Sequence, residues 1–256
     1  MLDLNVPVVL GASLALVAVS IGISAYLNLG FERSIIVASV RATVQLAIVG
    51  LLLGSLLESD WEGALAAVWI VAMVMIAAIV TGRRAGTNRV VPAAAAAIGA
   101  ATAISLAIVF GFGVLPPEPI QLVVIAWITI GNALSATVVA ADQVKKQITD
   151  QRLQIEGLLS LGLNSKQSAL FIVREATRVA LLPQIERTKV VGLVALPGAM
   201  AGLLIAGVSP QDAVVIQLVV MFLVLGTIAV SATVVALVTA RKAFTLDQRL
   251  EPTIFI

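Results

Sequence analysis

Long apolar runs alternate with short polar segments along most of the chain. A membrane-spanning α-helix needs about 20 consecutive, mainly apolar residues. The predicted spans are Val8–Leu27, Ile35–Leu57, Gly63–Thr81, Val90–Val114, Ile120–Ala141, Val190–Val208 and Ala213–Ala240. The pattern therefore predicts an all-α, polytopic integral membrane protein with about seven transmembrane helices, in which residues 1–256 form a single transmembrane domain.

The charged residues predict which ends of these spans face the cytoplasm. With the N-terminus outside, the inner segments are 28–34, 82–89, 142–189 and the C-terminal tail, and they hold fifteen of the sixteen Lys and Arg residues. The sixteenth is Arg41, inside the second span. Because short cytoplasmic loops are enriched in Lys and Arg, we expect an outer N-terminus and a cytoplasmic C-terminus.

Composition agrees with lipid as the main solvent and excludes several kinds of chemistry. Hydrophobic residues make up 60% of the chain and charged residues 12%, whereas soluble domains are about half apolar and a quarter charged. The chain has no Cys and no His, which excludes disulfides, thiolate chemistry and histidine-based catalysis. It also lacks the Gly-Lys step of a P-loop, so we expect a non-enzymatic chain that hydrolyses no ATP itself.

The longest inner segment, residues 142–189, predicts two cytoplasmic helices. Gln143–Leu161 has an amphipathic pattern, and Gly162 is expected to end that helix. Asn164, followed three residues later by a Gln, predicts the N-cap of a second helix that Pro183 should end. The apolar stripe of this second helix consists of Ala169, Ile172, Val173, Ala176 and Ala180.

Four polar side chains within the spans are candidates for a substrate pathway. Arg41 and Gln45 share one face of the second span, because they are one helical turn apart. Arg in hydrocarbon is costly, so Arg41 faces the helix bundle or a partner, or it extends to the inner water. Asn132 and Gln217 either line the pathway as well or hydrogen-bond between helices.

The sixth predicted span contains Pro197 and Gly198, which are unfavourable inside a helix. A helix broken at membrane depth commonly lines a cavity or serves as a hinge. Pro197, Gly198 and Met200 are therefore further candidates for the pathway. The alternative is a kink tolerated by close packing against a neighbouring helix.

The segment from Glu156 to Gly162 resembles the cytoplasmic coupling motif of ABC-transporter permeases. The six-residue spacing from Glu to Gly matches that motif, although Gly157 and Leu158 stand where two alanines are usual. Glu156, Gly157, Gly162 and Asn164 are therefore candidates for contact with an ATPase. The alternative is an ordinary helix end with Gly as its cap.

Most of the chain resembles the FetB-like ABC-transporter permeases, a family of bacterial iron-export permeases related to plant permeases of aluminium tolerance. The matching segments are Arg41–Leu46, Gly131–Ala133, Glu156–Gly162, Thr188–Leu193, Leu196–Gly202, Gly207–Pro210 and Gln217. In this family a second Met usually stands where this chain has Ala199.

This resemblance implies a homodimeric permease in the cell (inner) membrane, joined to two copies of a separate ATPase. Residues 142–189 would carry the coupling helices, and ATP with Mg²⁺ would be bound by the partner, with no cofactor in this chain. The implied activity is export of iron or another metal ion or metal complex, and no metal ligands are assigned.

The nature of the cargo stays open from the sequence, because the predicted spans contain no Asp or Glu. Hard trivalent ions prefer carboxylate ligands, whereas a chelated or anionic cargo would suit Arg41. Two other functions also stay open: an ATP-independent channel or secondary transporter, and a membrane scaffold for a soluble partner.

Overall fold

The computed structural model describes residues 6–57, 61–193, 196–245 and 247–250, and its regular elements there are helices. The α-helices are α1 (Val6–Tyr26), α2 (Glu32–Leu57), α3 (Glu62–Ala85), α4 (Val91–Gly111), α5 (Pro119–Asp150), α6 (Arg152–Ser160), α7 (Ser165–Val190), α8 (Gly198–Ile205) and α9 (Pro210–Lys242), with a 3-10 turn at Asn88–Val90 before α4. Among the described residues, five helices are long and apolar enough to cross a membrane, namely α2, α3, α4, α5 and α9. The predicted all-α, polytopic fold is confirmed, and the count of seven spans and the orientation stay predictions.

The chain divides into two compact units, residues 1–62 and 63–256. The first unit is the hairpin of α1 and α2. At its turn, the Ser24 hydroxyl donates to the Glu32 carboxylate at 2.7 Å and accepts from the Phe31 N–H at 3.2 Å. These two bonds fix the connection between the two apolar helices.

The second unit is built around α5 and α9, with α4 and α7 packed beside them. Alanine makes up much of the surface through which these helices contact one another. Such small side chains let helix backbones approach closely. Hydroxyl pairs add buried hydrogen bonds between helices, from Thr81 to Thr137 at 2.9 Å and from Ser105 to Thr227 at 3.0 Å. The unit is therefore held by close packing of alanine and branched aliphatic side chains, together with short polar contacts.

The helix boundaries of the inner segment differ partly from the prediction. The helix expected at Gln143–Leu161 is divided, because its first part continues α5 and the remainder forms α6. The predicted N-cap is confirmed: the Asn164 side chain accepts from the Gln167 N–H at 2.9 Å, and the Gln167 side chain accepts from the Asn164 N–H at 3.1 Å. The predicted apolar stripe of α7 is buried throughout.

The prediction that Pro183 ends the second inner helix is wrong, because α7 continues to Val190. The Pro183 ring is exposed, and Ala180, one turn earlier, is buried. Proline within a helix removes one backbone hydrogen bond and clashes with the preceding turn. Packing of α7 against α5 and α9 outweighs that local cost.

The sixth predicted span, Val190–Val208, is also not a continuous helix. The chain turns after α7 at Gly192, whose φ of 84° lies in the left-handed region, and α8 then begins at Gly198 with the extended Pro197 before it. Residues 194 and 195 lie outside the described residues. A helix of eight residues is about 12 Å long, which is too short to cross a bilayer alone.

Candidate functional site

A cavity of about 450 Å³ lies where α7 ends and α8 begins, against α5 and α9. We call it the helix-break cavity. The lining residues are Ile128, Asn132, Gln184, Arg187, Thr188, Val190, Val191, Pro197, Gly198, Ala199, Gln217, Val220, Met221 and Val224. The polar groups among them come from three helices and are surrounded by aliphatic side chains, as is usual in ligand sites.

Helix α7 reaches this cavity because it runs antiparallel to α9 along most of its length. Its first turn lies with Ala240 and Arg241 beside one cavity, and its last turns lie with Gln217 and Val224 beside the helix-break cavity. The sequence predicted that residues 142–189 form a cytoplasmic segment. In the structure, the last turns of α7 lie beside Gln217 of α9. The C-terminal end of α7 thus lies beside residues predicted within the seventh span.

Four of the predicted pathway residues come together here: Asn132, Pro197, Gly198 and Gln217 all line the cavity. Met200, in the first turn of α8, is half-buried and does not line it. The structure thus brings these four residues together. A role in transport remains a prediction for each of them and for Met200.

Arg41 and Gln45 lie in α2, within the first unit, and both side chains are exposed there. They occupy adjacent turns of one helix face, as the spacing predicted. Their proposed place in the pathway stays a prediction.

Sequence reasoning missed three polar residues of the cavity, Gln184, Arg187 and Thr188. All three follow Pro183, where the helix was expected to end. The signal was present, since positions 184, 187 and 188 continue the three- and four-residue spacing of the stripe from 169 to 180. The same face of α7 thus changes from apolar to polar where it meets the cavity.

The two amides of the cavity present hydrogen-bonding groups in different ways. The Asn132 Nδ2 donates to the Ile128 carbonyl at 2.7 Å, which leaves its Oδ1 as an acceptor. Gln217 is 8% exposed, and its buried Oε1 accepts no hydrogen bond among the described residues. A buried amide oxygen without a donor is costly in a protein interior, and a bound solute would supply the donor.

Arg187 is the charged residue among the described residues that line the cavity, and none of these residues is acidic. Neighbouring Glu186 instead pairs with Lys189 on the same helix, with Nζ and Oε1 2.8 Å apart. Among the residues that the structure describes, no group of three or more Asp or Glu side chains is placed to hold a metal ion. The cavity therefore offers a guanidinium, amides and a hydroxyl, which suit an anion or a polar complex better than a bare cation.

The four predicted coupling residues lie together at the opposite end of α7. Glu156 and Gly157 are in α6, Gly162 follows it with a φ of 89°, and Asn164 caps α7. The Gly162 N–H donates to the Leu159 carbonyl and the Leu163 N–H to the Leu158 carbonyl, which is the Schellman arrangement of a helix end. The ordinary helix-cap function of Gly162 is thus present, and contact with an ATPase stays a prediction.

The Glu156 carboxylate accepts a bond from Arg152 Nε at 2.8 Å, and both side chains are about half exposed. An exposed pair of this kind contributes little to stability. Its geometry leaves Glu156 accessible at the surface of the α6–α7 turn.

The helices and the cavity define a multi-pass α-helical membrane protein with a mainly apolar cavity that carries a few polar groups at a helix break. The chain belongs to the family described as uncharacterised protein family UPF0014, whose profile matches residues 7–244. No solved structure matches it.

Three relatives illustrate the range of this family. The rice protein "UPF0014 membrane protein STAR2" is 34% identical over 86% of this chain and 78% of its own length. The Escherichia coli "Probable iron export permease protein FetB" is 31% identical over 94% of this chain and 93% of its own length. The Arabidopsis "Protein ALUMINUM SENSITIVE 3" is 31% identical over 95% and 89%, respectively. The resemblance to FetB-like permeases is thereby confirmed.

Proposed function

We propose that this chain is the translocation subunit of an ATP-driven transporter in the cell (inner) membrane, exporting iron or another metal as an ion or complex. The proposal rests on the helix-break cavity. There, Asn132, Gln217 and Arg187 lie beside the break between α7 and α8. Transporters bind their substrates at such breaks, where backbone groups are free of intrahelical partners. The name of the Escherichia coli relative, an iron export permease, supports the cargo class.

The chemistry of the cavity favours a metal complex over a bare metal ion. Iron(III) and aluminium prefer carboxylate oxygen, and no carboxylate lines the cavity. Arg187 would instead bind an anionic ligand of the metal, while the Gln217 Oε1 would accept a hydrogen bond from it. A complex also carries its own oxygen ligands, so the protein need not supply them.

Coupling to a separate ATPase would occur at the α6–α7 turn, around Glu156 and Gly162. Helix α7 has 26 residues and is therefore about 39 Å long. It runs without interruption from the Asn164 cap to Thr188 in the cavity. Displacement of the turn by an ATPase would move the cavity end of the same helix, which links ATP binding to cargo release.

A homodimer of this chain with two ATPase copies is the assembly that we propose. Each copy would present one α6–α7 turn to one ATPase subunit. ATP hydrolysis would take place in the partner, since the sequence of this chain contains no P-loop.

The test is co-purification of the tagged chain in mild detergent from its own host, with Glu156→Arg as the variant. We expect the parent to retain a soluble P-loop ATPase near one-to-one and Glu156→Arg to lose it, because the substitution reverses the charge at the turn. Glu175→Arg is the matched control, since Glu175 is an exposed carboxylate on α7 away from the turn. ATPase retained equally by both variants would contradict coupling at Glu156.

A further inference from the structure

A second cavity, of about 840 Å³, lies where the 3-10 turn before α4 meets the C-terminal end of α9. We call it the basic cavity. Arg89 lines it from the turn, and Arg241 and Lys242 line it from the end of α9. Within the described part of the chain, no acidic side chain lines the basic cavity, and neither of the two ion pairs there involves these three cations.

The backbone on both sides of the basic cavity is fixed by short-range hydrogen bonds. The Thr87 side chain accepts from the Arg89 N–H at 3.3 Å and caps the 3-10 turn. On the other side, the Thr245 N–H donates to the Arg249 carbonyl at 2.9 Å, and the Thr245 hydroxyl accepts from the Arg249 N–H at 3.1 Å. Arg89 therefore projects from a capped turn, and Arg241 and Lys242 project from the last turn of α9, next to the turn at Thr245.

The position of the basic cavity matches a membrane–water boundary on either assignment of inside and outside. Arg241 and Lys242 directly follow the apolar run of α9, and Arg89 directly precedes that of α4. Pro92 and Phe244 add apolar surface to the same lining. Cationic groups beside apolar surface at this level match a phospholipid, whose phosphate and acyl chains meet there.

We propose that the basic cavity binds the phosphate group of an anionic phospholipid. The guanidinium groups of Arg89 and Arg241 hold the phosphate oxygens, since Arg bonds phosphate through two parallel N–H groups. Lys242 adds a point charge, and Pro92 and Phe244 contact the start of the acyl chains. The predicted topology places this end in the cytoplasmic leaflet, where basic pockets between helices bind anionic headgroups.

Native mass spectrometry of the full chain in detergent, titrated with phosphatidylglycerol or phosphatidylcholine, tests this site. We expect the parent to prefer phosphatidylglycerol. The double variant Arg89→Gln/Arg241→Gln should lower that affinity about twenty-fivefold, as each basic residue near an anionic lipid is worth about fivefold. The single variant Lys242→Gln should lower the affinity for phosphatidylglycerol about fivefold. It replaces the double variant as the test if the double variant does not fold.

The matched control is Arg174→Gln/Arg178→Gln, which removes the same charge from exposed positions on α7 and should leave the affinity unchanged. An equal loss in the control, or no loss in the double variant, would overturn the site. Displacement of phosphatidylglycerol by millimolar inorganic phosphate would show a site for free anions and overturn the lipid assignment.

Discussion

At the residue scale, the helix-break cavity is defined by polar groups that stability alone does not explain. The Gln217 Oε1 is buried without a hydrogen-bond donor among the described residues, which costs about 1–3 kcal/mol. An aliphatic side chain at that place would pack without this penalty. A cargo that donates a hydrogen bond gives Gln217 a function that offsets the cost.

Replacing Gln217 with Met should therefore separate stability from transport. We expect the thermal stability of Gln217→Met to equal or exceed that of the parent, by up to about 1 kcal/mol, because an unpaired buried polar atom is removed. Transport should fall about tenfold, the equivalent of about 1.4 kcal/mol, because the cargo loses an acceptor. Thermal unfolding and vesicle flux measure the two quantities.

Gln211→Met is the control for this prediction, since Gln211 is exposed in the first turn of the same helix. It should leave both quantities unchanged. Normal flux in Gln217→Met would mean that Gln217 only packs between helices.

The residues of the cavity could be predicted from sequence only where the local signal was strong. Asn132 and Gln217 were identifiable because amides are rare in apolar spans, and Pro197 because proline interrupts a helix. Arg187 was not identified, because Lys and Arg in a basic segment resemble ordinary cytoplasmic charges. Its position depends on α7 continuing past Pro183, which is decided by packing against α5 and α9.

At the element scale, α7 joins the two regions to which the sequence assigned separate roles. Its capped start lies at the predicted coupling turn, and its end lies in the helix-break cavity. The turn after α7 then separates it from α8. A continuous helix followed by a break is an arrangement in which small displacements at one end can alter the geometry at the other.

We expect the break between α7 and α8 to be more important for the rate of transport than for assembly of the complex. The variant Pro197→Ala tests this expectation. Alanine restores a backbone donor and favours helix, so we expect α8 to extend toward α7 and the cavity to narrow. ATP-driven flux should fall about tenfold while the yield of the assembled complex stays near that of the parent.

Pro119→Ala provides the comparison, because Pro119 is the first residue of α5, where proline costs little. Its flux should match the parent. If Pro197→Ala also transports normally, the break is a packing feature without a role in transport.

The helices themselves were largely predictable, because apolar length and turn residues report on them directly. Ser209, followed by Pro210 and three residues later by Asp212, is a typical N-cap, and its hydroxyl accepts from the Asp212 N–H at 3.2 Å. The break between α7 and α8 was indicated by Pro197 and Gly198, but its extent was not. Hydropathy averages over about 20 residues and does not distinguish one long helix from a helix, a turn and a short helix.

At the scale of the whole molecule, the second unit combines a close-packed bundle with a cavity in which a few polar groups lie among aliphatic side chains. The alanine-rich contacts of α5, α7 and α9 bring the helices close, and the cavity opens where α7 ends. The surface of this arrangement is mostly apolar and suits lipid or a second copy of the chain. The transport activity that we propose therefore depends on the bilayer, on a homodimer and on an ATPase partner.

In the proposed mechanism, cargo crosses the membrane through the helix-break cavity at the expense of ATP. The most direct measurement is ATP-dependent accumulation of iron, supplied as its citrate complex, in inside-out vesicles that contain the chain and its ATPase. We predict accumulation only with ATP, about tenfold slower in Arg187→Gln and unchanged in Arg178→Gln, because Arg178 is an exposed cation of the same helix that does not line the cavity. Accumulation that needs no ATP, or that is equal in the two variants, would contradict this transport mechanism.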